Sequence, residues 1–296
     1  MPHRARRLAA ILFLLLAASV ATPSAAEPAI WELQGRGGSV LLLGSIHMMR
    51  ESDYPLPDNV TAAYGRSDKI IMELDMDDLD PIVAQSLITS IGMLDDGRSL
   101  RDVMGARDYE RASRKLSTMG LELDMLAALK PWFVSITVMN LQMMSAGFLP
   151  QYGLEQFVTG LARRDGKPIE GLETMEYQLG VFDGLSEKTQ TRMLLQTLDE
   201  AAELDSQLEV LTKAWRDGDQ KRMARELAGS FDPYPDVYRD LVVTRNREWV
   251  DRLIEVADTG PDTLVVVGAL HLVGRDSVVE LLIDRGRRVE KWRPGR

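Results

Sequence analysis

Val40-Leu41-Leu42-Leu43-Gly44-Ser45-Ile46-His47 is the stretch on which the fold reading turns. Four aliphatic residues without a polar break describe a strand buried on both faces, the habit of a parallel sheet with helices on either side. Gly44 ends the run, and a residue without Cβ lets the backbone turn sharply. His47 stands three positions past that glycine. The same order returns near the other end of the chain, where Leu264-Val265-Val266-Val267 precedes Gly268-Ala269-Leu270-His271.

Outward from these two runs the pattern alternates. Lys69 to Leu74 reads as a second strand, reached through a short helix from about Asp58 to Tyr64, so the first part is a strand–helix–strand unit. Pro168 to Gly171 is a further short strand, and Arg288 to Trp292 the last. Helical periodicity covers Asp80 to Phe148, Gly153 to Arg164, Ser186 to Trp215, Asp219 to Ala228, Pro235 to Ala257 and Arg275 to Arg285. The expectation is one α/β domain over residues 27–296. Its central sheet, mixed or parallel, is built from both chain ends, with a largely helical insertion at about residues 80–150. Nine of the fifteen methionines fall between Met72 and Met144. Two readings of the leucine- and methionine-rich run Leu121 to Phe148 stand side by side: a buried core helix, or an adaptable apolar wall of a binding cleft.

Composition narrows the chemistry. The 296 residues include no cysteine, which excludes disulfides, thiolate metal sites and cysteine nucleophiles. There are three histidines, and His3 lies at the extreme N-terminus. The net charge of −10 and the absence of a basic block argue against a nucleic-acid partner. The first 26 residues read as a secretory leader. Arg4, Arg6 and Arg7 precede the apolar run Leu8 to Val20, and Ser24-Ala25-Ala26 supplies the small residues for cleavage before Glu27. The apolar run is too short to prefer spanning a bilayer. A periplasmic or secreted protein with no membrane span after cleavage is therefore expected.

His47 and His271 are then the imidazoles left for chemistry. Both follow strand ends, where ligands collect in open α/β sheets. Two imidazoles suit zinc, manganese or cobalt, but two ligands are too few. Glu73, at the end of the Lys69 strand and ahead of Asp75 and Asp77, is the best third ligand. Glu173, after the Pro168 strand, is a second carboxylate. One can bind metal while the other acts as general base, with Arg245 as electrophilic helper or carboxylate anchor. The plainer alternatives are that Glu73 caps a turn, Glu173 caps a helix N-terminus, and Arg245 makes a surface ion pair.

Five segments in order are familiar: Leu42-Leu43-Gly44-Ser45-Ile46-His47, Met72-Glu73-Leu74-Asp75, Gly171-Leu172-Glu173-Thr174, Arg245-Asn246-Arg247-Glu248-Trp249, and Val267-Gly268-Ala269-Leu270-His271-Leu272-Val273-Gly274. Together, over about Ile30 to Trp292, they resemble the TraB/PrgY/GumN family, which is related to the Tiki proteins. The resemblance implies the α/β fold shared by Tiki proteins, erythromycin esterases and ChaN-like haem-binding proteins. It also implies a metal-dependent peptidase centre on the paired Gly-x-x-His motifs and a glutamate. Carried over, these are His47, His271 and Glu73, with Glu173 and the Arg245-Asn246 pair as neighbours. The expected activity is that of an exported metal-dependent hydrolase acting on peptides or another small substrate. The rivals are a non-catalytic envelope protein that sequesters a peptide or haem, and a structural or chaperone-like protein using the methionine-rich face.

Overall fold

A computed structural model describes residues 27–75 and 80–295; the leader read at residues 1–26 and Asp77 lie outside them. Six strands form one sheet: β1 (Ile30–Gln34), β2 (Ser39–Ser45), β3 (Lys69–Met72), β4 (Ile169–Gly171), β5 (Thr263–Gly268) and β6 (Val289–Trp292). Their order is β4-β3-β5-β2-β1-β6. The first four of these neighbours run parallel, while β1 pairs antiparallel with both β2 and β6. The sheet is therefore mixed and draws on both ends of the chain, as expected. β5 inserts between β2 and β3, so the first strand–helix–strand unit does not pair with itself. β1 is the strand the sequence reading missed. Only Ile30 and Leu33 of its five residues are buried, so it shows neither a buried run nor an alternation.

Each residue of β2 and of β5 is buried, and the pleat explains why both runs are apolar throughout. Successive side chains face opposite sides. Leu41, Leu43, Ile70, Met72, Leu264 and Val266 meet one layer, which includes Val60 and Ala63 of helix Asp58–Arg66 and Val158 and Ala162 of helix Leu154–Asp165. Val40, Leu42, Ile71, Val265 and Val267 meet the other, which includes Trp249 and Leu253 of helix Thr244–Thr259 and Leu282 of helix Val278–Asp284. Each such side chain contributes roughly 1.5–3 kcal/mol by leaving water.

The helical middle has a core of its own. Leu100, Leu116, Val134 and Val138 cluster with Leu194 and Leu198, which belong to helix Glu187–Glu200, beyond β4. The sequence reading also missed helix Met175–Asp183, and two of its long helical runs are divided. The run from Leu121 to Phe148 is helical only over Pro131–Ser145, after a 3-10 turn at Leu123–Leu126. Proline disfavours a helical conformation at the residue before it, which sets the start. Ser186 to Trp215 divides into Glu187–Glu200 and Leu204–Arg216. Ala201-Ala202-Glu203 between them are good helix formers, so packing dictates the break: the first helix joins the middle core, whereas Trp215 of the second joins the sheet. There its Nε1 donates to the Gly44 carbonyl at 2.7 Å.

Candidate active site at the carboxyl edge of the sheet

Strand register decides what meets at the edge. Ser45 is level with Gly268, and Met72 is level with both Val266 and Gly171. The carboxyl ends of β2, β3, β4 and β5 therefore finish together, and His47, Glu73, Glu173 and His271 follow from them onto one edge.

His47 is held from behind. Its Nδ1 lies 2.5 Å from Glu155 Oε1, which also accepts from Ser45 Oγ at 2.5 Å. Glu155 sits in the first turn of helix Leu154–Asp165, where the helix N-terminus favours a negative charge. The approach depends on the preceding segment. Leu149 N donates to the Met49 carbonyl at 2.9 Å, and Leu154 N to the Ile46 carbonyl at 3.2 Å. Gly153 permits this contact, because a Cβ there would stand 2.1 Å from the His47 carbonyl oxygen. The Glu155 charge, opposed by desolvation, raises the pKa of His47 to about 9. Burial works to raise that of Glu155, but His47 and Ser45 bring it below the ordinary carboxylate value. Protein crowds the Nδ1 side of His47, yet its side chain is 67 % exposed.

Glu73 is engaged through both oxygens. Oε1 accepts from Gly268 N at 2.7 Å; Oε2 accepts from Arg245 Nη2 at 2.6 Å and Gln178 Nε2 at 3.0 Å. Burial opposes its ionisation, but His271, Arg245, His47 and the Gly268 N–H together lower its pKa to about 2. Glu173 is deeper, with its side chain 4 % exposed. Its oxygens accept from Arg245 Nε and Nη2 at 2.9 and 2.8 Å, Trp249 Nε1 at 2.8 Å and Gln178 Nε2 at 3.1 Å. A carboxylate so occupied anchors its neighbours and has no free lone pair aimed at the cleft. Nor does it cap the next helix: Thr174 does that, accepting from Tyr177 N.

Arg245 is the bridge between the two glutamates rather than a surface ion pair, and it is buried. A π-helical turn at Arg239–Val243 precedes it, a local irregularity common at functional sites. Its Nη1 donates to the Leu241 carbonyl at 3.0 Å and lies 3.3 Å from His271 Nε2. His271 is fixed on its other side by Asn246, whose Oδ1 is 2.6 Å from Nδ1. Asn246 Nδ2 donates to the Asp276 carbonyl, so Oδ1 must accept, and His271 carries its proton on Nδ1. Burial, the largest influence, lowers the His271 pKa to about 4, and the ring packs 4.5 Å from Trp249. His271 is neutral at pH 7.

The two histidines meet around Gly268. A Cβ on that glycine would lie 3.6 Å from His47 Nε2, 3.6 Å from His271 Cδ2 and 3.1 Å from Glu73 Oε1. In front of them is a cleft of about 300 Å³ lined by His47, Glu73, Glu155, Gln156 and Gln178 with Met72, Leu74, Pro150 and Val266. Met72, of the sheet, is the methionine that lines it among the described residues. Among the described residues the methionine-rich run does not form a wall of the cleft: Met139 and Met144 of helix Pro131–Ser145 are exposed, and that helix packs on Glu187–Glu200.

Among the described residues, no three His, Asp or Glu side chains converge as an assembled metal centre. His47 Nε2 and Glu73 Oε1 both lie beside Gly268, and His271 Nε2 is 3.8 Å from Glu73 Oε1, but Arg245 covers that nitrogen. Donor chemistry and charge do suit a cation. Glu73, Glu155 and Glu173 carry three negative charges against the permanent charge of Arg245. With His47 neutral, two charges remain for a divalent ion to balance.

The profile of the TraB/PrgY/gumN family matches residues 29–291. The chain belongs to that family. It is 24% identical over 242 residues to YbaP, an uncharacterised protein of Escherichia coli (strain K12), covering 81% of this chain and 86% of YbaP. The Shigella flexneri YbaP matches equally, and an uncharacterised Treponema pallidum (strain Nichols) protein is 20% identical over 272 residues, covering 88% of this chain and 81% of its own length. No solved structure matches. Within this family member, the edge joins the five residues read from sequence and adds Glu155 and Gln178, which that reading missed. The available signal for Glu155 was a glycine directly ahead of a helix with an acid in its first turn. For Gln178, four residues past Thr174, the sequence offered none.

Proposed function

We propose that this protein is an exported hydrolase of peptide-type amide bonds, with His47 as the group that moves the proton. One observation carries the reading: His47 Nδ1 is held by Glu155 at 2.5 Å while the ring opens onto the cleft beside Glu73. Among the site groups, His47 is suited to exchange a proton under mild conditions. Glu73 stays ionised down to about 2, and His271 stays neutral down to about 4. Deprotonated Nε2 takes a proton from the attacking water; protonated Nε2 returns it to the leaving nitrogen. Glu155 fixes the tautomer and stabilises the imidazolium. The leader-like N-terminus supports export, and the Tiki resemblance supports a peptide substrate. The cleft volume is at the small end of ligand sites and suits a short peptide segment better than a haem.

The charge balance supports a second version, in which His47 and Glu73, joined by His271 once Arg245 withdraws from its Nε2, would hold manganese, cobalt or zinc. Such an ion supplies Lewis-acid polarisation of a carbonyl. Glu155 is then the carboxylate left to move the proton, because the oxygens of Glu173 are taken.

The test is cleavage of a peptide library by purified protein, read by mass spectrometry. It is run after chelation and after resupply of each ion, with His47→Ala and Glu155→Gln alongside and bound metal measured. Cleavage lost in His47→Ala supports the proposal. Cleavage indifferent to chelation, with no metal bound, removes the second version. Peptides bound but never cut would replace hydrolysis with sequestration.

A further inference from the structure

Gln178 closes a ring of four polar atoms. Glu73 Oε2 and Glu173 Oε2 both accept from Arg245 Nη2, at 2.6 and 2.8 Å, and both accept from Gln178 Nε2, at 3.0 and 3.1 Å. An ionised carboxylate only accepts, so the amide is held one way round. Turning it over would set Oε1 against two carboxylate oxygens. Both Nε2 protons are thus spent inside the ring, and Oε1 is the polar atom that Gln178 has left. Gln178 also lines the cleft, together with His47 and Glu73.

We infer that Gln178 is a specificity residue whose Oε1 accepts a hydrogen bond from a substrate N–H next to the scissile carbonyl. The inference rests on the hydrolase reading and narrows its substrate class. Glu73 cannot easily take this part, since Gly268, Arg245 and Gln178 already occupy its oxygens. A ligand that places a carbonyl toward His47 and a donor toward Gln178 is a secondary amide. An ester or an N-methylated amide offers no donor and leaves the acceptor unpaired in a narrow cleft.

The experiment compares matched peptides, cleaved ones from the library and their N-methyl counterparts at the same bond. The wild type and Gln178→Met are each measured for turnover, and for equilibrium binding after chelation. Wild type should favour the N–H peptide about tenfold, the worth of one hydrogen bond. In Gln178→Met that ratio should fall toward one in both KM and binding. The ratio is taken within each protein, so general damage to the Glu73–Glu173 ring does not mimic the effect, and circular dichroism checks folding. An unchanged ratio with cleavage intact overturns the role of Gln178 and leaves the hydrolase reading standing. No cleavage and no binding of any peptide by the wild type overturns both.

Discussion

Gly153→Ala tests the physical link between the His47 loop and its carboxylate. The added Cβ would stand 2.1 Å from the His47 carbonyl oxygen and 3.0 Å from that of Pro150, where ordinary contact begins at 3.4 Å. Both obstacles are backbone, so the segment entering helix Leu154–Asp165 must back away by about 1 Å or more. The φ of −62° at Gly153 suits alanine, so crowding alone is at work. Such overpacking costs about 1–3 kcal/mol. It also lengthens the 3.2 Å bond from Leu154 N to Ile46 and draws Glu155 away from His47 Nδ1. Glu155 is the main cause of the raised pKa of His47, so the variant should titrate below about 9, toward the ordinary 6.5. The assay is an NMR titration of the imidazole carbons, made simple by a chain with three histidines. An unchanged His47 pKa in a folded Gly153→Ala protein would refute the argument that this close approach positions Glu155.

Three further outcomes follow from the same site. His47 must be deprotonated to take a proton or to accept a cation, so activity should rise above neutral pH, reach half its maximum near pH 9 and level off only above that; a rate falling over that range would contradict the assignment. His271 and Glu73 both have lowered pKa values, so the stability they contribute is complete above their ordinary values. It is lost from about pH 6.5 to about 4 for His271, then from about 4.5 to about 2 for Glu73. Denaturant midpoints should fall in that order, and His271→Gln should flatten the upper part. Arg245→Met leaves two buried carboxylates without their shared cation and should cost roughly 3–5 kcal/mol. Adding Glu173→Gln should recover part of that loss in thermal melts, and no recovery would argue against the bridge.

Local sequence determined the parts of this protein whose cause is local. The apolar runs at Leu41–Leu43 and Leu264–Val267 reveal their strands because burial on both faces demands an apolar residue at every position. The glycines after them reveal the edge, because the chain must turn there. His47, His271 and Glu73 were legible for the same reason: each follows a strand end. β1 and the break at Ala201–Glu203 were not, since neither leaves a periodic or conformational mark. Glu155 and Gln178 were hidden more deeply. Glu155 reads locally as an ordinary first-turn acid, and Gln178 falls between the Pro168 strand and the Ser186 helix, where no element was read. Their roles arise from contacts across 108 and 105 positions. Strand order did the same for the roles of the charged groups. Pairing β4 with β3 put Glu173 beside Glu73, where Arg245 bridges the two; this saturated one expected base, while His47, beyond β2, stays open to the cleft. Hydrogen-bond saturation is a property of the assembled neighbours, so only the tertiary structure could decide which carboxylate anchors and which imidazole is free to react.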